Sequence, residues 1–146
     1  MRKVLAVVAA LMLTGCALLR ADGSSWVEDV PEGEAVQLAA RIADLAAGQL
    51  ARGDKVRLAA GRDNAAGREV EMHLKAALQT RGINVAEDAG EAAPHTMRYL
   101  VTLYGKELLL RVRVDDAEAT TMLARGKGGE IIATSPLAVR KVQNDR

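Results

Sequence analysis

A close succession of apolar-polar alternations constrains the fold more than any other feature of the chain. Residues 96–104 place Met97, Tyr99, Val101 and Leu103 on one face, residues 107–115 place Leu108, Leu110, Val112 and Val114 on one face, and strand patterning resumes over 119–125 and 130–135. A period of two is the signature of a half-buried strand. Gly105-Lys106, Asp116-Ala117 and Gly126-Lys127-Gly128-Gly129 separate these runs, so the short connections predict an antiparallel meander. The core under such a sheet has to be aliphatic, because the sequence holds no Phe, one Trp (Trp26) and two Tyr (Tyr99 and Tyr104).

Upstream of the meander the period changes. From Glu34 to Arg52 apolar residues recur at Ala35, Leu38, Ala39, Ile42, Leu45, Ala46 and Leu50, which is one helical stripe, with Glu32 and Glu34 at the positive end of the helix dipole and Gly53 at the stop. Lys55 to Ala60 alternates as a strand, Arg62-Asp63-Asn64 turns, and Ala65 to Arg81 forms a second amphipathic helix with Val70, Leu74, Ala77 and Leu78 on its apolar face. Ile83-Asn84-Val85 resumes a strand after Gly82, and a strand–helix–strand crossover of this length predicts a parallel, right-handed unit. The predicted fold class is α+β, with two helices packed on one face of a mixed sheet and the strand–helix–strand unit followed by the meander.

The N-terminus predicts processing. Arg2 and Lys3 precede ten unbroken apolar residues, Val4 to Leu13, and Leu13-Thr14-Gly15-Cys16 follows at once. Ten residues make a helix of about 15 Å, roughly half the hydrocarbon core of a bilayer, so the run reads as a secretory signal and not as a permanent span. The sole cysteine, Cys16, has no intrachain disulfide partner, and with two histidines (His73 and His95) it makes no zinc site. Residues 17–33 hold Gly23, Ser24, Ser25, Pro31 and Gly33 with no sustained period and read as a tether. Within it Trp26, Val27 and Val30 are apolar, either folded back on the domain or forming a docking segment for a partner. The predicted organisation is a signal over 1–15, anchor and tether over 16–33, a domain over 34–135 and a tail over 136–146.

Candidate chemistry is sparse. Ser24, Ser25 and Ser135 are the hydroxyls weighed as nucleophiles with His73 or His95 as base, but two of the serines fall in the tether and His73 lies between Met72 and Leu74 on the second helix. The pairs Glu87-Asp88 and Asp115-Asp116 are adjacent carboxylates of turns. The glycine loop at Gly126 lacks the spacing and the hydroxyl of a phosphate cradle. The expectation is therefore no catalytic residue, no metal and no cofactor. Arg98, Arg111 and Arg113 project from outward faces of neighbouring strands as a modest basic stripe suited to an acidic partner. Charge is otherwise balanced: 20 Lys+Arg less Arg2 and Lys3 leaves 18 against 19 Asp+Glu once the signal is removed. With few aromatics to stack on bases, no nucleic-acid contact is predicted.

The Leu13 to Cys16 segment resembles the lipobox of bacterial lipoproteins. That resemblance implies that Cys16 receives a diacylglyceryl group, becomes the first mature residue and carries the acyl chains that hold the protein on a membrane. Two or three chains anchor stably where one does not. Ala17 stands where inner-membrane retention commonly uses Asp, which implies the outer membrane, with the domain facing the periplasm. The lipobox, the tether, the Ala-rich helix Ala35 to Arg52, the Lys55 to Val85 unit, the meander and the ending Ser135-Pro136-Leu137-Ala138-Val139 together resemble the TrbH family of conjugal transfer lipoproteins, part of the Trb mating-pair-formation apparatus, a type IV secretion system. What this implies is a non-catalytic assembly component of an envelope-spanning channel, with protein partners there and a homo-oligomeric ring through the complex. Two other classes fit the same layout: a lipoprotein regulator of a cell-wall enzyme or a CsgG- or TolB-like envelope accessory domain, and a lipid-anchored enzyme or small-molecule binder, for which the sequence offers no convergent polar cleft.

Overall fold

In a computed structural model, residues 25–143 are described apart from Asp29, Glu32, Ala60, Arg62 and Asp63. The described chain runs β1 (Trp26–Val27), α1 (Glu34–Ala47), β2 (Lys55–Leu58), α2 (Ala65–Thr80), β3 (Asn84–Val85), β4 (His95–Tyr104), β5 (Glu107–Val114), β6 (Ala117–Arg125), β7 (Ile131–Ala133) and β8 (Ala138–Lys141). The fold is α+β, as the alternation of periods predicts. The strands form one mixed sheet in the order β3-β2-β4-β5-β6-β7, with β1 added beside β4 and β8 beside β6. The predicted crossover is parallel, since β2 pairs with β3 in parallel register around α2, and the meander β4–β5–β6 is antiparallel throughout.

Strand alternation divides the sheet into two unlike faces. Met97, Tyr99, Val101, Leu108, Leu110, Val112 and Leu123 are buried against Leu38, Ile42, Leu74 and Leu78 of the helices. α1 packs on α2, β5 and β7, while α2 packs on β1 and β3. Four alanines of α1 (Ala35, Ala39, Ala43 and Ala46) are fully buried. Side chains this small bring helix and neighbour close together, which is how a core without Phe reaches interior density.

Local chemistry sets the helix ends. Asn64 caps α2 by accepting the N–H of Gly67 at 2.7 Å, and its amide nitrogen donates to the carbonyl of Val27 at 2.8 Å, so one side chain starts the helix and ties it to β1. Gly82 closes the helix at φ +78, where an added Cβ would stand 2.7 Å from Arg52. α1 ends at Ala47, five residues short of the predicted Arg52, because Gly48 caps it and Gln49 turns back to the carbonyl of Ala46. Glu34 in its first turn meets Arg125 through two hydrogen bonds of 2.5 and 3.0 Å, joining α1 to the end of β6.

Both ends of the expected domain move outward. Trp26 and Val27 pair in parallel with Leu100 and Val101, so the sheet begins inside the segment expected to be tether, and 34 is not the start of the domain. β8 pairs antiparallel with Ala117 to Thr120, so the expected tail over 136–146 contributes a strand. The cause is the same in each case: β4 and β6 are long, and their outer neighbours are short.

β4 is flanked on one side first by β2, at residues 95–97, and then by β1, at 100–101. The peptide N–H of Tyr99 falls in the gap between them. It donates to the Ser25 hydroxyl at 3.3 Å, which in turn donates to the carbonyl of Ala59 at 3.1 Å. Ser25 is 1% exposed. A buried peptide group without a partner costs about 1–3 kcal/mol, so this one hydroxyl sustains the junction of three strands. Ser25→Ala should lower the unfolding free energy by about 1–3 kcal/mol in urea denaturation; a change within the ~0.5 kcal/mol typical of surface substitutions would show that the junction does not depend on the hydroxyl.

Candidate functional site

The second gap in the sheet lies on the far side of β6, between β7 at residues 123–125 and β8 at residues 117–120. Its register slips by two residues there, and Thr134 to Leu137 form the bulge. Ser135 fills the gap. Its hydroxyl accepts the N–H of Met122 at 2.9 Å and its carbonyl accepts the Thr121 hydroxyl at 3.2 Å. Pro136, which has no N–H to offer a ladder, occupies the bulge, the place in a sheet edge where proline is tolerated. Behind it Leu137, Leu45, Leu110 and Leu123 line a recess of about 140 Å³ with Asp44 and Ser135 among its walls. Ligand sites for drug-sized molecules begin at about 300 Å³.

Of the three serines weighed as nucleophiles, Ser25 and Ser135 are thus both committed to backbone groups at strand junctions, and Ser24 lies outside the described residues. His73 stands half-buried on α2 beside exposed Met72. His95 opens β4, and its ring is held by Asp115 at 2.7 Å on Nδ1 with Asp54 at 3.7 Å from Nε2. Tyr99, whose N–H marks the Ser25 junction, lies four residues further along β4, roughly 13 Å of strand from His95. Neither serine forms a nucleophile–base pair with either histidine. Among the described residues no group of three or more His, Cys, Asp or Glu could hold a metal ion.

Both carboxylate pairs lie in turns, and of the four side chains it is that of Asp115 that is bound there. Asp115, at φ 53, sits in the β5–β6 turn, accepts the N–H of Thr96 at 2.9 Å and the His95 ring at 2.7 Å, and its own N–H returns to the carbonyl of Thr96. This clamp was not foreseen, because it joins residues twenty apart that only the β4–β5–β6 register brings together. At Glu87-Asp88 the N–H of Glu87 is taken by Glu91, whose carboxylate also pairs with Lys55. The Gly126 loop is a turn closed by the N–H of Gly126 on the carbonyl of Glu130, as expected.

Of the three residues read either as folded back on the domain or as a docking segment, Val27 and Val30 are buried in the chain's own core, at 1% and 9% exposure. Trp26 is half-buried and pairs with Leu100 on the opposite face of the sheet, which no described element covers. Arg98, Arg111 and Arg113 are half-buried on that same face, as the alternation predicts, with Arg98 directly across from Arg113. Cys16 lies outside the described residues.

What distinguishes this domain is a sheet stitched at two junctions by serine, with the Ser135-Pro136 bulge on its edge. The family model for conjugal transfer protein TrbH matches residues 21–143. The chain belongs to the TrbH family. The match takes in β1 and β8 as well as the predicted core, in agreement with a domain that starts before Glu34 and ends after Ser135. No curated protein and no solved structure matches this TrbH chain. Among the described residues no helix is long and apolar enough to cross a membrane.

The Asp115 clamp has an acid signature. Partial burial pushes the Asp115 carboxyl up, but the His95 hydrogen bond, the Thr96 N–H and the positive charge His95 can carry together hold it below its ordinary 3.8. A carboxyl depressed on folding stabilises the fold above its unfolded value and loses that contribution as pH falls from 3.8 through the folded value. Asp115→Asn should melt below the wild type at pH 6, with the two melting temperatures converging as pH falls below 3.8; a constant gap across that range would show that the carboxylate's charge plays no part.

Proposed function

We propose that this TrbH chain is an outer-membrane lipoprotein, anchored through Cys16, and a non-catalytic assembly component of a conjugative type IV secretion channel. The family match over residues 21–143 carries the reading. The basic start, the apolar run of ten and the single cysteine after Thr14-Gly15 support the anchor. The commitment of Ser25 and Ser135 to backbone groups, and of His95 to two carboxylates, supports a role in binding over one in chemistry.

The early start of the sheet matters to this reading. Between Cys16 and Ser25 lie eight residues, where a tether ending at residue 33 would have offered 17. Nine peptide steps reach at most about 30 Å, so an anchor at Cys16 would keep the domain within about its own diameter of the membrane. Concentrating a small binding domain on one leaflet raises its effective concentration toward partners on the same surface.

A clickable palmitate analogue should label the wild-type protein in donor cells and leave Cys16→Ser unlabelled, with Cys16→Ser lost from the outer-membrane fraction. Equal labelling of both would overturn the anchor. Deletion of the coding sequence should lower conjugal transfer frequency and be rescued by the wild-type chain; unchanged transfer would overturn the channel role.

A further inference from the structure

The sheet face turned away from α1 and α2 has no covering element among the described residues, and its side chains are an unusual set for a solvated surface. Strand register lays them out in rows. One row runs Trp26, Leu100, Arg111, Thr120; the next runs Arg98, Arg113, Glu118, Arg140. Arg140 is paired with Glu118 at 2.7 Å, and Arg113 donates to the carbonyl of Asp115 at 2.8 Å. Arg98 and Arg111 have no ion pair or hydrogen bond to any described residue, and the Nε of Arg111 is closed off from solvent without a partner.

One feature of this face costs the isolated domain stability. The buried Nε–H of Arg111 has no acceptor, and a buried guanidinium N–H left unpaired is unfavourable. That cost falls away when a carboxylate arrives from outside, because guanidinium and carboxylate pair through two parallel hydrogen bonds. Trp and Arg together are also the residue types that dominate protein interface energetics.

We propose that this face, centred on Trp26, Arg98 and Arg111, is the docking surface for an acidic segment of a protein partner in extended conformation, with Arg98 and Arg111 taking carboxylates from alternate residues. The diagonal Arg98–Arg111 relation across the β4–β5 pair spans about 7–8 Å. Alternate residues of an extended chain stand about 6.8 Å apart, which matches it. A second copy of this chain would set the same arginines against each other. A lipid surface is the poorer fit: headgroups are met by long cations projecting into water, whereas these guanidinium groups lie half-buried on a rigid pleat beside an apolar row. The surface is read from the fold alone and does not require the lipid anchor or the channel assignment.

The sole tryptophan stands in this surface and reports on it. With the full chain in a zwitterionic detergent, the probes are a twelve-residue peptide of alternating Glu and Thr, its Gln–Thr counterpart, and phosphatidylglycerol vesicles. The acidic peptide should change Trp26 emission saturably, more strongly at low salt than at 0.15 M. The double variant Arg98→Gln with Arg111→Gln should raise its Kd at least about tenfold while melting no lower than the wild type. The Gln–Thr peptide should leave emission unchanged. No saturable change, equal binding of both peptides, or undiminished binding by the double variant would each overturn the proposal. An arginine-dependent response to the vesicles with none to the peptide would overturn the protein partner in favour of a lipid surface.

Discussion

Every peptide N–H inside a sheet must find an acceptor, and in this domain that requirement falls hardest on β4 and β6. Each is a long strand whose outer neighbour is divided in two. A divided neighbour leaves a peptide group facing a gap, and a gap in a buried sheet cannot be filled by water at no cost. A serine hydroxyl closes each one, at Tyr99 through Ser25 and at Met122 through Ser135. Hydroxyls suit the task because one oxygen can accept from a backbone N–H and donate elsewhere at the same time. Removing Ser25 would not subtract a contact from the surface; it would strand a backbone group inside the sheet.

The rest of the architecture depends on those junctions holding. Once β1 is sealed to β4, Val27 and Val30 enter the core and the carbonyl of Val27 meets Asn64 at the start of α2. The first strand, the sheet and the second helix are then one cooperative unit, although the strand lies in a stretch of sequence with the composition of a linker. At the other edge the bulge carries Leu137 over the recess beside α1, and Gln37 of α1 bonds the N–H of Ile131 at 2.7 Å. α1 therefore grips the edge of the meander as well as its face.

This organisation bears on function through what it leaves unused. Of the reactive groups that the sequence nominates, Ser25 and Ser135 are taken up by backbone groups and His95 by Asp115. Arg98 and Arg111 have no ion pair or hydrogen bond to a described residue, and they stand beside the sole tryptophan on the face that no described element covers. The proposed assembly role needs a surface of that kind, held rigid by a sheet.

Periodicity by itself determined the two helices, the parallel crossover, the antiparallel meander and the outward position of Arg98, Arg111 and Arg113, because each of these is written within a dozen or so consecutive residues as a period of 3.6 or 2. The resemblance that pointed to the TrbH family was carried by chain order and by Ser135-Pro136-Leu137, also local features. Only the tertiary structure decided the roles of Ser25, Val27, Ser135, Asp115 and β8. A two-residue strand such as Trp26–Val27 has no period to detect, and its partner lies more than seventy residues away. The Asp115–His95 clamp and both serine junctions likewise exist between residues that register brings together and sequence keeps apart, so their meaning appears when the chain is folded and not before.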